Sequence, residues 1–214
     1  MNKKFTLSLI ITLLYFTLQA QNAWVLKADR DGIKVFTKSQ QGSKFKAIKV
    51  ECSVQSTLSR LTYAIMDIAT CREWVYSTKS CVMVKQVSAS ELYYYSEINV
   101  PWPVSNRDFV AHLVATQNPV TKVVTVDAEN VAGLVPEKDN IVRVVQSVGK
   151  WVITPVGANS VKIEYSLFTD PGGVVPAWLI NLFVTKGPFE SFKKLKEHIQ
   201  KPAFNNVHLN YVKD

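Results

Sequence analysis

Residues Asp170-Pro171-Gly172-Gly173-Val174-Val175-Pro176-Ala177-Trp178-Leu179-Ile180-Asn181, with the amphipathic run that continues to Lys201, decide how this chain folds. Pro176 follows a Gly-Gly turn and suits the first turn of a helix, where a missing N–H is no loss. Trp178, Leu182, Phe189, Phe192 and Ile199 recur as an apolar stripe, and Lys186, Lys193, Lys194 and Lys196 lie mostly off it. Gly187-Pro188 falls mid-run. Proline removes one backbone hydrogen bond and crowds the preceding turn, so a kink is expected there. Lys201-Pro202 ends the run.

Upstream of this helix the pattern is strand after strand. Val161, Ile163, Tyr165 and Leu167 alternate with Lys162, Glu164 and Ser166, which predicts a half-buried strand over Val161–Thr169. Similar runs occupy Val142–Thr154, Val123–Asn130, Asp108–Gln117, Glu91–Val100 and Cys81–Val87. Short turns between neighbours imply an antiparallel meander. Ile33–Thr37 and Lys44–Cys52 predict a hairpin around Gln41-Gly42-Ser43. Between the two groups, Leu58, Leu61, Tyr63, Ile65 and Ile68 predict one helix or two short ones, with Ser56 as N-cap, ending near Trp74. Asn22–Asp29 reads as a short helix before the Asp31-Gly32 turn. One long helix must therefore cover a many-stranded sheet, and we expect the two to enclose a cavity.

The N-terminus has a different character. Lys3 and Lys4 precede an apolar run from Phe5 to Leu18, and Ala20 offers a small residue for cleavage before Gln21. Residues 1–20 read as a secretory signal, with an uncleaved anchor as the alternative. The mature chain, 21–214, reads as a single domain with its core at 24–201, exported to a periplasm or secreted. No Cys follows the apolar run, so a lipoprotein anchor is not indicated.

Without Lys3 and Lys4 the formal charge falls from +8 to +6. Scattered lysines suit an anionic membrane surface rather than nucleic acid, whose binders cluster basic and aromatic residues. Cys52, Cys71 and Cys81 match no metal spacing. We read them as buried small residues in preference to a Cys71–Cys81 bridge, since an odd count leaves a thiol over. Catalytic motifs are absent, and His112, His198 and His208 fall in a strand, the late helix and the tail. No cofactor or metal is expected.

One polar stretch stands out: Pro101-Trp102-Pro103-Val104-Ser105-Asn106-Arg107-Asp108-Phe109. Strand parity puts Arg107 on the face of Phe109, Ala111, Leu113 and Ala115. A guanidinium there keeps its charge and needs a carboxylate, carbonyls or an anionic ligand group; pairing with Asp108 at the sheet rim is the alternative. Parity places Glu91 with Tyr93, Tyr95 and Glu97 on the more polar face, away from Arg107 unless a bulge intervenes.

The segment Val100 to Val110 resembles the Pro-aromatic-Pro-x-x-x-Arg-Asp-aromatic stretch of START domains, the steroidogenic-acute-regulatory-protein-related lipid transfer family. Asp170 to Asn181 is similar to that family's Pro-Gly-Gly entry into its last helix. Trp74, Asp31-Gly32-Ile33-Lys34-Val35 and Val142-Arg143 fall in the family's order, so the resemblance spans about Trp24 to Lys201. It implies an α+β helix-grip fold: a curved antiparallel sheet wrapped around a long C-terminal helix, enclosing a hydrophobic tunnel. It implies binding and transfer of one lipid by a monomer, without catalysis. Arg107 matches the family's cavity arginine, and Glu91 falls where several relatives place its acid. Ser166 and Leu167 stand where the phosphatidylcholine-transfer members carry an aromatic residue of their choline cage, so choline specificity does not carry over.

The expected ligand site is therefore Arg107, Glu91, Phe109, Leu113, Trp178, Leu182 and Phe192. Trp102, Gly187 and Pro188 are the expected gate. Trp102 either packs its loop or dips into a membrane interface. Lys193, Lys194 and Lys196 either form a solvated face or dock to anionic lipid. The alternative function is an aromatase/cyclase-type enzyme in which Arg107, Glu91 and Tyr93 position a hydrophobic substrate.

Overall fold

A computed structural model of the protein describes residues 23–214; the expected export segment, 1–20, lies outside them. Ten strands form one sheet. They are β1 (Val25–Arg30), β2 (Ile33–Ser39), β3 (Lys46–Gln55), β4 (Thr78–Ser88), β5 (Glu91–Ile98), β6 (Asn106–Gln117), β7 (Val124–Asn130), β8 (Ile141–Arg143), β9 (Gln146–Gly157) and β10 (Ser160–Asp170). The order across the sheet is β1-β2-β3-β10-β9-β7-β6-β5-β4, all antiparallel, with β8 alone added in parallel to β6. The first hairpin group and the later meander thus meet through β3 and β10, whose register runs from Ser160↔Gln55 to Leu167↔Ile48.

Two short helices, α1 (Leu58–Met66) and α2 (Cys71–Trp74), bridge β3 to β4. Thr57, rather than the expected Ser56, caps α1, its hydroxyl accepting the Arg60 N–H at 3.2 Å. The C-terminal rod comprises α3 (Ala177–Asn181), a π-helical turn (Leu182–Lys186) and α4 (Gly187–His198). Phe189, Phe192, Leu195 and Ile199 from the rod are buried against Ile33, Val50, Trp151, Ile153 and Ile163 of the sheet. At roughly 1.5–3 kcal/mol for each large apolar side chain fully buried, this packing is the main term that holds rod to sheet.

Three expectations are corrected. Val25–Arg30 is a strand, not the helix expected over Asn22–Asp29. Asp31 (φ 53°) and Gly32 (φ 67°) both take the left-handed conformation, as a two-residue hairpin turn of the primed type requires, and such a turn needs a strand on each side. The expected strand Val142–Thr154 is broken into β8 and β9, because the Val144 N–H bonds to the Asp108 carbonyl and peels β8 onto β6. Third, Cys71 and Cys81 are bridged, their Cα atoms 6.5 Å apart, and Cys52 is the free, buried thiol. Helix α2 is a single turn, so the chain leaves Cys71 and returns along β4 to the same place. Burial pushes the Cys52 thiol up to about 12, which keeps it protonated.

Closing this ten-residue separation is worth about 2–3 kcal/mol through loop entropy in the unfolded chain. Urea unfolding of the Cys71→Ser/Cys81→Ser variant, or of protein with reductant, is expected to show a loss of that size. An unshifted midpoint would mean that the bridge constrains nothing.

Candidate functional site

A cavity of about 350 Å³ lies between the concave face of the sheet and the C-terminal rod. Alternate residues of each strand wall it, because successive side chains point to opposite faces. Tyr94, Ser96 and Ile98 come from β5; Arg107, Phe109, Ala111 and Leu113 from β6. Ala128 and Asn130 (β7), Gly149 and Trp151 (β9), and Tyr165 and Leu167 (β10) continue the floor. Leu179, Phe183, Gly187, Pro188 and Phe192 of the rod form the roof. Lys46 and Arg107 are the charged lining residues, and no Asp, Glu or His is among those described. Among the described residues no group of three or more His, Cys, Asp or Glu side chains is placed to hold a metal ion.

Arg107, Phe109, Leu113 and Phe192 line the cavity, and so do Gly187 and Pro188. Trp178 and Leu182 do not: Trp178 is half-exposed and neither lines the cavity. In an uninterrupted α-helix both would share the stripe of Phe189 and Phe192. Pro188 has no N–H to give, and the rod responds with a turn in which the Gly187 N–H bonds to Leu182, five residues back. A π-turn rotates less per residue than an α-turn, so everything before it is rephased by close to one position. Leu179 and Phe183 face inward in place of Trp178 and Leu182.

Glu91 does not meet Arg107. It sits on the opposite face of β5, where its carboxylate lies 2.8 Å from His112 Nε2, and the His112 ring stacks on Tyr93 at 4.3 Å. Asp108 is not the partner either. Its buried carboxylate takes a two-pronged contact from Arg143, Nε–Oδ1 2.7 Å and Nη2–Oδ2 3.2 Å, and Arg143 also donates to the Val135 and Pro136 carbonyls. That carboxylate raises the Arg143 guanidinium above its ordinary pKa.

Arg107, 5% exposed, is held by carbonyls alone. Nη1 donates to Ser105 at 2.6 Å, Nε to Pro171 at 3.4 Å, and Nη2 to Gly172 at 3.3 Å and Val174 at 3.5 Å. The two segments singled out in the sequence thus meet at one guanidinium, which ties the loop of residues 99–105 to the turn at Pro171–Val174. Gly172 and Gly173 both have positive φ (68° and 61°), and a Cβ on Gly172 would come within 3.1 Å of the Arg143 carbonyl. Burial pulls the guanidinium's pKa down, yet an arginine stays charged, and carbonyls solvate that charge without neutralising it. One end of the cavity therefore carries a net positive charge.

On the outside of that end, Trp102 is 91% exposed and Val174 88% exposed. Glu97 accepts from Asn106 Nδ2 and Lys79 at 2.8 Å each, and Asn106 Oδ1 takes the Val100 N–H, so the loop is pinned at its base while Trp102 projects from its tip. Sequence reasoning missed Tyr94 and Tyr165 as site residues, although the same alternation that placed Arg107 marks both as inward-facing.

The model of the START domain matches residues 14–203. An uncharacterised protein of Pseudomonas aeruginosa is 32% identical over 178 residues, 83% of this chain and 87% of the relative. The phosphatidylcholine transfer protein of Rattus norvegicus is 28% identical over 175 residues, 80% of each chain. The crystal structure of the STAR-related lipid transfer protein from Xanthomonas axonopodis superposes with a TM-score of 0.77 at 29% identity, covering 84% of this chain and all of that fragment. A curved sheet gripping a C-terminal helix, a cavity between them and a family match along nearly the whole described length lead to one assignment: the chain belongs to the START domain family.

Proposed function

We propose that this protein binds one lipid in the cavity and carries it between membranes without changing it chemically. The observation that carries the reading is the apolar space between sheet and rod, with Arg107 buried inside one end and Lys46, the other charged lining residue, exposed. Its volume falls toward the low end of the ~300–1,000 Å³ typical of ligand sites, which suits a single-chain or compact lipid in the closed form. Burying about sixteen methylenes at roughly 0.8 kcal/mol each supplies on the order of 13 kcal/mol. The names of the relatives, phosphatidylcholine transfer protein and STAR-related lipid transfer protein, support the same reading.

An anionic head group is the natural partner for Arg107, whose charge no carboxylate neutralises. Entry requires the roof to lift, and the π-turn at Leu182–Lys186 is where the rod bends most readily. Trp102, Val174 and Trp178 form an apolar edge at the Arg107 end that suits a membrane interface. The reading extends to a single monomeric domain acting outside the cytoplasm after removal of residues 1–20; the Cys71–Cys81 bridge supports the oxidising compartment. The transfer proteins among the relatives support binding over an aromatase/cyclase-type reaction, although inward tyrosines such as Tyr94 and Tyr165 are of the kind such a reaction would use.

Native mass spectrometry of protein purified from its own host is expected to show one lipid per chain, and delipidated protein is expected to take lipid from liposomes. Repeated recovery of empty protein that takes up nothing would end the transfer reading.

A further inference from the structure

The cavity holds a second polar station that Arg107 does not serve. Tyr94 on β5 and Tyr165 on β10 both line it, on opposite sides of a trough floored by small residues, Ala111, Ala128 and Gly149. Tyr165 lies across that floor: a Cβ on Gly149 would come 3.6 Å from its hydroxyl and 3.5 Å from the Ala128 methyl. Its ring is fixed between Trp151 at 4.4 Å and Phe192 at 5.7 Å, and Tyr94 is set edge-on to Phe109 at 5.8 Å. Tyr94 stands opposite Ala111 in the β5–β6 register and Ala128 opposite Gly149 in the β7–β9 register, so both phenols border the same small-residue floor; burial raises the pKa of each.

Both side chains line the cavity, and neither hydroxyl is among the fully buried polar atoms left without a partner, so each keeps some surface for a ligand. A phenol that faces an apolar space without a protein partner gains one when a ligand brings a polar atom there. Two rigid phenols bordering one small-residue trough invite a ligand group that both donates and accepts or accepts alone. That group must be neutral, since Arg107 stands opposite Ile98, well along the β5–β6 register from the Tyr94–Ala111 pair, and the other cation lining the space is exposed Lys46.

We propose that Tyr94 and Tyr165 form a subsite for a hydroxyl or carbonyl oxygen carried part-way along a hydrophobic ligand, so that the protein selects oxygenated lipids over plain acyl chains. The proposal rests on the lipid-binding reading above. The ligand then has two polar stations, a head group at Arg107 and an internal oxygen at the tyrosine pair, with apolar stretches between and beyond.

The test uses delipidated protein and displacement of a dansyl fatty acid by stearic acid and by monohydroxystearic acids with the hydroxyl at successive chain positions. Wild type is expected to bind at least one mid-chain isomer about five- to tenfold more tightly than stearic acid. Tyr94→Phe and Tyr165→Phe, which keep the ring packing, should each reduce that preference, and in the double variant the ratio of the two affinities should fall to about one. No preference in wild type would assign the hydroxyls to trapped water and overturn the proposal. A preference that survives in the double variant would overturn it too. Failure of wild type to bind stearic acid or any isomer would remove the lipid reading itself.

Discussion

Arg107→Met is expected to lower the folding stability by about 2–4 kcal/mol, because acceptors left without a donor cost about 1–3 kcal/mol each and removal of the desolvated charge returns part of that. Met fills nearly the same length but leaves the carbonyls of Ser105, Pro171, Gly172 and Val174 facing a space without a donor. Each was bonded to a charged group, a contact worth about 1.5–3 kcal/mol, though carbonyls near the rim recover part of this from water. Arg107→Lys should restore only a minor share, because a single ammonium cannot fork between the loop at Ser105 and the turn at Pro171–Val174. Urea denaturation measures the loss. Limited proteolysis adds a local readout, since cleavage within residues 99–105 should rise ahead of global unfolding. A variant within about 1 kcal/mol of wild type would show that the guanidinium serves the ligand and not the fold.

Ala128→Trp is expected to abolish lipid uptake, by on the order of a hundredfold or more, with stability retained or slightly raised. Ala128 lies in the middle of the cavity floor, beside Gly149 and Tyr165. An indole there occupies volume that the ligand needs. In a packed core such a substitution costs roughly 1–3 kcal/mol by overpacking. A vacant apolar space accepts the ring and loses its void. The sign of the stability change therefore distinguishes a working cavity from an ordinary core. Thermal unfolding and liposome pickup on the same preparation read both. A strongly destabilised variant, or one that still takes up lipid, would contradict this account of the floor.

Much of the site was legible because strand parity is rigid. One residue in register assigns every second one, and Arg107 correctly led to Phe109, Ala111 and Leu113. The same rule set Glu91 on the wrong face for Arg107, and it was right against the resemblance: Glu91 pairs with His112. What parity does not contain is the identity of a partner from a distant segment. No local pattern in Pro171–Val174 announces that its carbonyls will surround a guanidinium some 64 residues away. The helix failed differently. A periodic stripe has a meaning only while the period holds, and a single π-turn before Pro188 was enough to exchange Trp178 and Leu182 for Leu179 and Phe183. Cysteine counting likewise says how many thiols remain, not which two a one-turn helix returns to the same place. At the N-terminus, Asp31-Gly32 was noticed as a turn, but its requirement for two flanking strands outweighs the weak helical look of Asn22–Asp29.

The sheet runs from β1 to β4 without those two strands meeting. A closed barrel fixes its bore, since widening it means breaking a ladder of backbone hydrogen bonds. Here the gap is spanned by the rod, which packs on β2 and β3, and by α2, which the Cys71–Cys81 bridge ties to β4; the rod's apolar contacts are non-directional and re-form after sliding. The two rims can therefore spread or draw together without cost in strand pairing. The vessel behaves as an elastic clip, not a tube of set gauge, and guests of unequal girth can be held by one backbone topology.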